Sequence, residues 1–420
     1  MNVKKVSIGR NNHIYLKKTK KFKTIGISFV FKMKYDHKNV TAFNVLAKYL
    51  GNCCADYPSI EKLNKYIESL YGTELGIKTS YSGSLFKLNI FANYVNPKFI
   101  DDKDLTNKVV EIISKIIYKP LIVDDKFDDT IFSICKENCM IDTESLNEYN
   151  MGYVIRRLKN SITSDPFNAF NTPPLGDQKV LKKLNNYNII KYYKRILSAP
   201  FDVYVTGDFS YKEMIETIKK HFAHHKAKNF KYDVFDMIKD KVVEPTIIKK
   251  QVSQAKVAVA YKIPILFNDE RHYAFRLARL VLSGTLSAKF GKVIREQMGL
   301  CYFINSVYSS YYGTFIVSTG VASENIEKVV KEIDNQIKEL QNGNLTDEEF
   351  NQAKEAILSD MSSIDDSLFG TLNMIKTYHY FNQDFVLEKE IEKYKKVSKE
   401  DIIKVSKLLT YCTYAALDKE

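Results

Sequence analysis

The run Arg295-Glu296-Gln297-Met298-Gly299-Leu300-Cys301-Tyr302 sets an arginine at the end of an amphipathic stretch and a tyrosine just past a glycine turn. A guanidinium offers five donors in a fixed fork and a phenol adds one more, so the pair could grip a peptide carbonyl or a carboxylate. A surface arginine and a tyrosine packed in a sheet would fit the same spacing, and the residues alone leave both readings open. Three other clusters invite chemistry. His221, His224 and His225 form H-x-x-H-H, placing imidazoles at i, i+3 and i+4 of one helix turn, a spacing that can hold zinc. No carboxylate accompanies them to act as a base, and surface histidines are the simpler reading. Asp124, Asp125, Asp128 and Asp129 suit the first turn of a helix, where carboxylates complement the dipole. Cys135 and Cys139 stand at i, i+4 with no second ligand pair near them in sequence, which predicts small residues in a helix seam.

The elements that must hold these groups come in two similar sets. In the first half, the apolar run Ile25 to Met33 leads to a periodic stretch Phe43 to Leu50. A charged amphipathic stretch Ile60 to Leu70, Tyr71-Gly72 and two alternating runs around Gly83 follow. The second half repeats this as Val257 to Ile265, Tyr273 to Leu282, Lys289 to Gln297, Met298-Gly299 and alternating runs on either side of Gly313. The offset is about 227 residues, counted from Gly72 to Gly299. Two copies are too few for a solenoid, so a tandem duplication is expected. Each copy is read as an α+β unit, a mostly antiparallel sheet with helices packed on one face. Periodicity lapses from His225 to Lys250, which predicts domains at 1–225 and 251–420 joined by a linker at 226–250. Thr346-Asp347-Glu348-Glu349 reads as a capping box opening a long helix, Ser398 begins another, and Cys412 to Leu417 reads as a closing strand.

Composition excludes more than it assigns. Nothing approaches the apolar length of a membrane span. Met1 to Lys23 alternates lysine with short apolar pairs and does not read as a secretory signal. Six scattered cysteines in 420 residues do not form a disulfide framework, so a reducing, cytoplasmic setting is expected. The net charge of +13 is spread over single lysines, with no basic stripe interleaved with aromatics, so nucleic acid is not the expected partner.

Taken with Lys354 on the capping-box helix, the residues Arg295, Gly299-Leu300 and Tyr302 resemble the second-half signature of the insulinase-type inverted-zincin peptidases, the family of the mitochondrial processing peptidase. The segments Tyr57-Pro58-Ser59, Leu70-Tyr71-Gly72, Asp165-Pro166-Phe167 and Tyr204 to Asp208 are most similar to a small bacterial branch associated with aminopentanol modification of elongation factor P, related to paired chains of bacteriocin maturation. The departure lies in the first half. Active members of that family carry H-x-x-E-H on the first helix, two histidines for zinc and a glutamate for the attacking water. Here those positions fall at about Asn44, Ala47 and Lys48, and H-x-x-E-H occurs nowhere in the chain. The resemblance puts the third ligand at Glu137 or Glu144, which alone cannot hold catalytic zinc, and Lys48 would repel a cation.

What the resemblance implies is a chain without zinc of its own that pairs, as a heterodimer, with a homologue carrying H-x-x-E-H and the metal. Arg295 and Tyr302 would position the backbone of a peptide substrate. The alternatives are a scaffold or regulatory peptide-binding protein in which the pair is a remnant, and an active metalloendopeptidase whose metal site the sequence does not reveal.

Overall fold

The computed structural model describes residues 3–9, 11–165, 167–238 and 243–420. The first half starts with strands β1 (Lys4–Ser7), β2 (His13–Lys18) and β3 (Thr24–Lys34), then helices α1 (His37–Asn52) and α2 (Ile60–Ser69) and the hairpin β4 (Glu74–Ser82) and β5 (Leu85–Val95). Helix α3 (Leu105–Tyr118) precedes a small hairpin, β6 (Ile122–Val123) and β7 (Lys126–Phe127), and helices α4 (Asp129–Glu148), α5 (Asn150–Ser161), α6 (Gln178–Lys183) and α7 (Asn186–Ile196). Strand β8 (Phe201–Gly207) and helix α8 (Tyr211–Phe222) close the half. Local chemistry sets the boundaries. Ser59 caps α2 by accepting from the Lys62 N–H, and Asp36 caps α1 by accepting from Lys38. Ile25, Ile27, Phe29 and Phe31 on β3 are all essentially inaccessible, and they share the core with the seven buried aliphatic residues of α3.

The second half runs β9 (Thr246–Lys250), β10 (Ala255–Lys262), α9 (His272–Leu282), a π-helix at Phe290–Gln297, β11 (Cys301–Ser309) and β12 (Thr314–Val321). Helices α10 (Ile326–Gln341), α11 (Asp347–Ser363), α12 (Leu368–Tyr380), α13 (Leu387–Lys396) and α14 (Lys399–Ser406) then lead to β13 (Thr410–Lys419). The predicted capping box is formed: Glu349 N–H donates to Thr346 Oγ1 at 3.1 Å, and Thr346 N–H donates to Glu349 Oε2 at 3.0 Å.

The two sheets have the same plan. The first is ordered β1-β2-β8-β3-β5-β4 and the second, read from its other end, β9-β13-β10-β12-β11. In each, the central strand (β3 or β10) pairs antiparallel on both sides, and one parallel pairing (β2 with β8, β9 with β13) lies toward the same end. Among the described residues of the two sheets, β1 has no counterpart. The duplication is therefore a property of the topology as well as of the sequence.

The compact units do not follow a single cut in the chain. One comprises 1–144, 173–234 and 364–385; the other comprises 145–172, 235–363 and 386–420. The exchange is reciprocal: α5 packs on β10 and β13, while α12 packs on the equivalent strands β3 and β8. Val154, Leu158 and Ile162 share a cluster with Ala258, Ala260, Ala415 and Leu417. Gly26 admits α12, since a Cβ there would come within 2.9 Å of Leu368 Cδ2. A division at 226–250 thus misplaces one helical segment on each side. That stretch is also no plain linker, because its last five residues are β9, and Val234 and Ile238 are buried; residues 239–242 lie outside the described residues.

Candidate functional site

The Arg295/Tyr302 corner is built by the π-helix and the edge strand that follows it. Phe290 and Ile294 anchor the π-helix, and the wide turn closes with Met298 N–H donating to Val293 O at 2.9 Å and Leu300 N–H to Ile294 O at 3.0 Å. Gly299 takes φ +61° with open space around it, so the glycine answers a backbone need. Lys289, just before the π-helix, makes a buried ion pair with Glu349 at 3.0 Å and ties this corner to the first turn of α11.

Beyond the turn, β11 is the edge of its sheet, and its register with β12 shifts between Cys301 and Ile304. Tyr302 falls in that irregularity and is 88% exposed, so it is not packed in the sheet. The Arg295 guanidinium pairs at 2.7 Å with its exposed neighbour Glu296, a contact of little energetic weight. It also lies near the Cys301 thiol: burial pushes that thiol's pKa up, and the Arg295 charge partly offsets the rise. Both groups can turn toward a ligand without breaking a buried interaction. Lys354 is used differently, donating to Val397 O at 3.0 Å.

On α1 the polar groups are turned inward. Asn44 donates to Val40 O and to Pro174 O, each at 3.1 Å, and accepts from Thr79 Oγ1 at 2.5 Å. Ala47 is buried, and Lys48 pairs with Asp142 of α4 at 2.9 Å. Burial alone would lower the Lys48 pKa, but the Asp142 hydrogen bond and charge outweigh it and hold the ammonium protonated. The nearby thiols are no better as donors, since burial raises the pKa of Cys135 and pushes that of Cys139 up to about 12. Glu137 is exposed, and Glu144 accepts from Gln178 at 2.8 Å. An engaged amide, a methyl, a paired ammonium and two protonated thiols do not fit zinc. Sequence reasoning missed Asp142, the carboxylate that meets Lys48; its i+3 spacing from Cys139 on α4 was the available signal.

The remaining clusters are structural. His225 is buried between the Tyr118 hydroxyl (2.9 Å) and Ala199 O (2.7 Å), His221 meets Asn107 Oδ1 at 2.9 Å, and the His224 ring packs edge-on against Tyr118. His221 is engaged by Asn107, while His224 and His225 share Tyr118, so each imidazole is used by the packing. Asp128 receives the Ile131 N–H and Asp129 pairs with Lys126, as a first helical turn requires. Asp124 and Asp125 instead form the two-residue turn of the β6–β7 hairpin, with φ 50° and 60°.

The chain therefore has a duplicated α+β plan with an exposed Arg/Tyr corner in its second copy. Residues 183–357 match the profile of the family described as Peptidase M16 inactive domain. A Bacillus subtilis relative named "Probable inactive metalloprotease YmfF" is 22% identical over 398 residues, covering 93% of this chain and 92% of that protein. Among solved structures, a conserved protein from Enterococcus faecalis V583 has a TM-score of 0.93 at 22% identity, covering 100% of this chain and 99% of its own. A peptidase M16 inactive domain from Pseudomonas fluorescens has a TM-score of 0.83 at 13% identity, with coverage of 100% and 99%. The chain is thus similar to M16, insulinase-type proteins, over residues 183–357 by the family profile and over 93% of its length by the inactive-metalloprotease relative.

Proposed function

We propose that this M16 homologue is the non-catalytic, substrate-positioning subunit of a heterodimeric zinc peptidase whose other subunit carries H-x-x-E-H and the metal. The observation that carries this reading is the contrast between the corners. Arg295 and Tyr302 stand at a free sheet edge, exposed and lightly held, while Asn44, Ala47 and Lys48 form no donor set. An extended peptide would add to a sheet edge of the partner, with main-chain hydrogen bonds supplying most of the grip. Arg295 and Tyr302 would donate to its carbonyl oxygens and fix the scissile bond in place, an orientation effect that lowers the entropic part of the barrier. A reducing, cytoplasmic setting belongs to the same reading, supported by six buried cysteines that form no disulfide among the described residues. Among the described residues, no helix is long and apolar enough to cross a membrane.

The test is reconstitution with a homologue bearing H-x-x-E-H. The expected result is a one-to-one complex by native mass spectrometry, with chelator-sensitive peptide cleavage that needs both chains. A zinc-loaded chain that cleaves peptides alone, or failure of the two to associate, would refute the assignment.

A further inference from the structure

In the first unit, α8 has a defined seat. Its buried stripe is Met214, Ile218 and Phe222, and the Phe222 ring lies 4.5 Å from Phe29 and 5.6 Å from Phe201. On the α3 side, Ser114 Oγ donates to His221 O at 3.3 Å, and Asn107 Oδ1 meets His221 Nε2 at 2.9 Å and Lys220 Nζ at 3.1 Å.

The second unit repeats this seat without a helix on it. Let Ile27, Phe29 and Phe31 be matched to Val257, Val259 and Tyr261. Phe201 and Val203, opposite Phe31 and Phe29, then correspond to Tyr411 and Tyr414, opposite Tyr261 and Val259. The helices align on their buried residues, Val109, Val110, Ile113, Ile116 and Ile117 with Val329, Val330, Ile333, Gln336 and Ile337. Asn107 and Ser114 then fall on Glu327 and Asp334. These positions line one groove of about 340 Å³, formed by Glu327, Val330, Lys331, Asp334, Tyr411 and Tyr414. Phe201 and Val203 are fully buried, whereas Tyr411 is only half-buried. Among the described residues of the second unit, no helix occupies the place of α8.

We propose that this groove docks an amphipathic helix of a partner chain, seated as α8 is in the first unit. The chemistry of the occupant follows from the substitutions. An apolar stripe at i, i+4 and i+8 would meet Val330, Tyr411 and Tyr414, the arrangement by which helices enter grooves. Where α8 sets Lys220 and His221 against the neutral Asn107 and Ser114, the second unit offers the exposed carboxylate Glu327 in place of Asn107, so the occupant carries lysine or arginine there. Asp334, in place of Ser114, is held by Lys338 at 2.7 Å. Lys331 stands where α3 has Glu111 and selects for an acidic residue on the flanking side. This inference is independent of the role given to Arg295 and Tyr302.

The probe is a labelled, hydrocarbon-stapled peptide with the sequence Tyr211–Phe222, titrated against the full chain by fluorescence anisotropy. Saturable binding is expected, weakened at least tenfold by Val330→Glu. Glu327→Lys, on the exposed rim, should weaken it as well, and a peptide with Lys220→Glu should restore binding to that variant alone. Absence of saturable binding, or equal binding to wild type and both variants, would overturn the proposal. Self-association of the chain that is abolished by Glu327→Lys would overturn it too, since the occupant would then be a second copy.

Discussion

On α1, Asn44 and Lys48 are tied to Thr79, Val40, Pro174 and Asp142, whereas Arg295 and Tyr302, between the π-helix and β11 of the second repeat, are exposed. The two repeats share strand order, pairing sense and the reciprocal placement of α5 and α12. Against that common plan, the differences carry the information. A polar group that the fold engages internally serves the fold, and one left at a free edge is available to a ligand.

Two further contrasts follow the same rule. The seat of α5 is lined by Ala258, Ala260, Ala415 and Leu417, a surface that asks only for apolar packing. The equivalent seat of α12 is polar. Lys376 donates to Ser28 Oγ at 3.2 Å, Ser28 donates to Asn89 Oδ1, and Lys87 reaches Ser82 at 3.3 Å and lies 4.4 Å from the Tyr380 ring centroid. Likewise the α8 seat is filled in one repeat and open in the other.

The largest effect is expected at the filled seat. Phe222→Ala should cost about 3–5 kcal/mol of stability, because a large ring leaves a cavity among Phe29, Phe201 and Tyr118. Tyr411→Ala, at the matching open place, should cost less, roughly 1–2 kcal/mol, since its side chain is only half-buried. Denaturant titrations of both variants measure the difference, and equal losses would break the correspondence between the seats.

The next effect is a dependence on pH. Burial lowers the pKa of both Lys87 and Lys376 to about 8, with the Lys376 charge adding to the shift at Lys87. Between pH 8 and the ordinary lysine value, the unfolded chain holds protons that the folded one has released, so stability rises with pH across that window. The gain is on the order of 2–3 kcal/mol per lysine when complete. The double variant Lys87→Met, Lys376→Met should flatten the rise and be more stable than wild type below pH 8. A slope unchanged in the variant would show that other groups produce it.

Much of this was legible in the sequence, for identifiable reasons. Periodicity gave the amphipathic stretch that forms α2, and caps gave the starts of α11 at Thr346 and of α14 at Ser398, because those signals lie within a few residues of what they specify. The order of apolar runs gave the duplication. The exchange of α5 and α12 was not legible, since the periodicity of a helix states that one face is buried but not against which sheet. Strand β9 hid among lysines: Thr246–Lys250 is five residues at a sheet edge, too short and too exposed to alternate clearly. At the site, the types and spacing of Arg295 and Tyr302 could be read, but their exposure depends on a π-helix and a register shift that no local pattern encodes.

The most direct measurement is the kcat/KM of the reconstituted pair with Arg295→Ala and with Tyr302→Phe, alongside native mass spectrometry of each complex. Losing one charge-assisted hydrogen bond to a peptide carbonyl costs about 1.5–3 kcal/mol, so each variant should lose roughly ten- to a hundredfold in turnover while assembly is intact. Full activity in both variants, with the complex still formed, would contradict the account and leave this chain a scaffold.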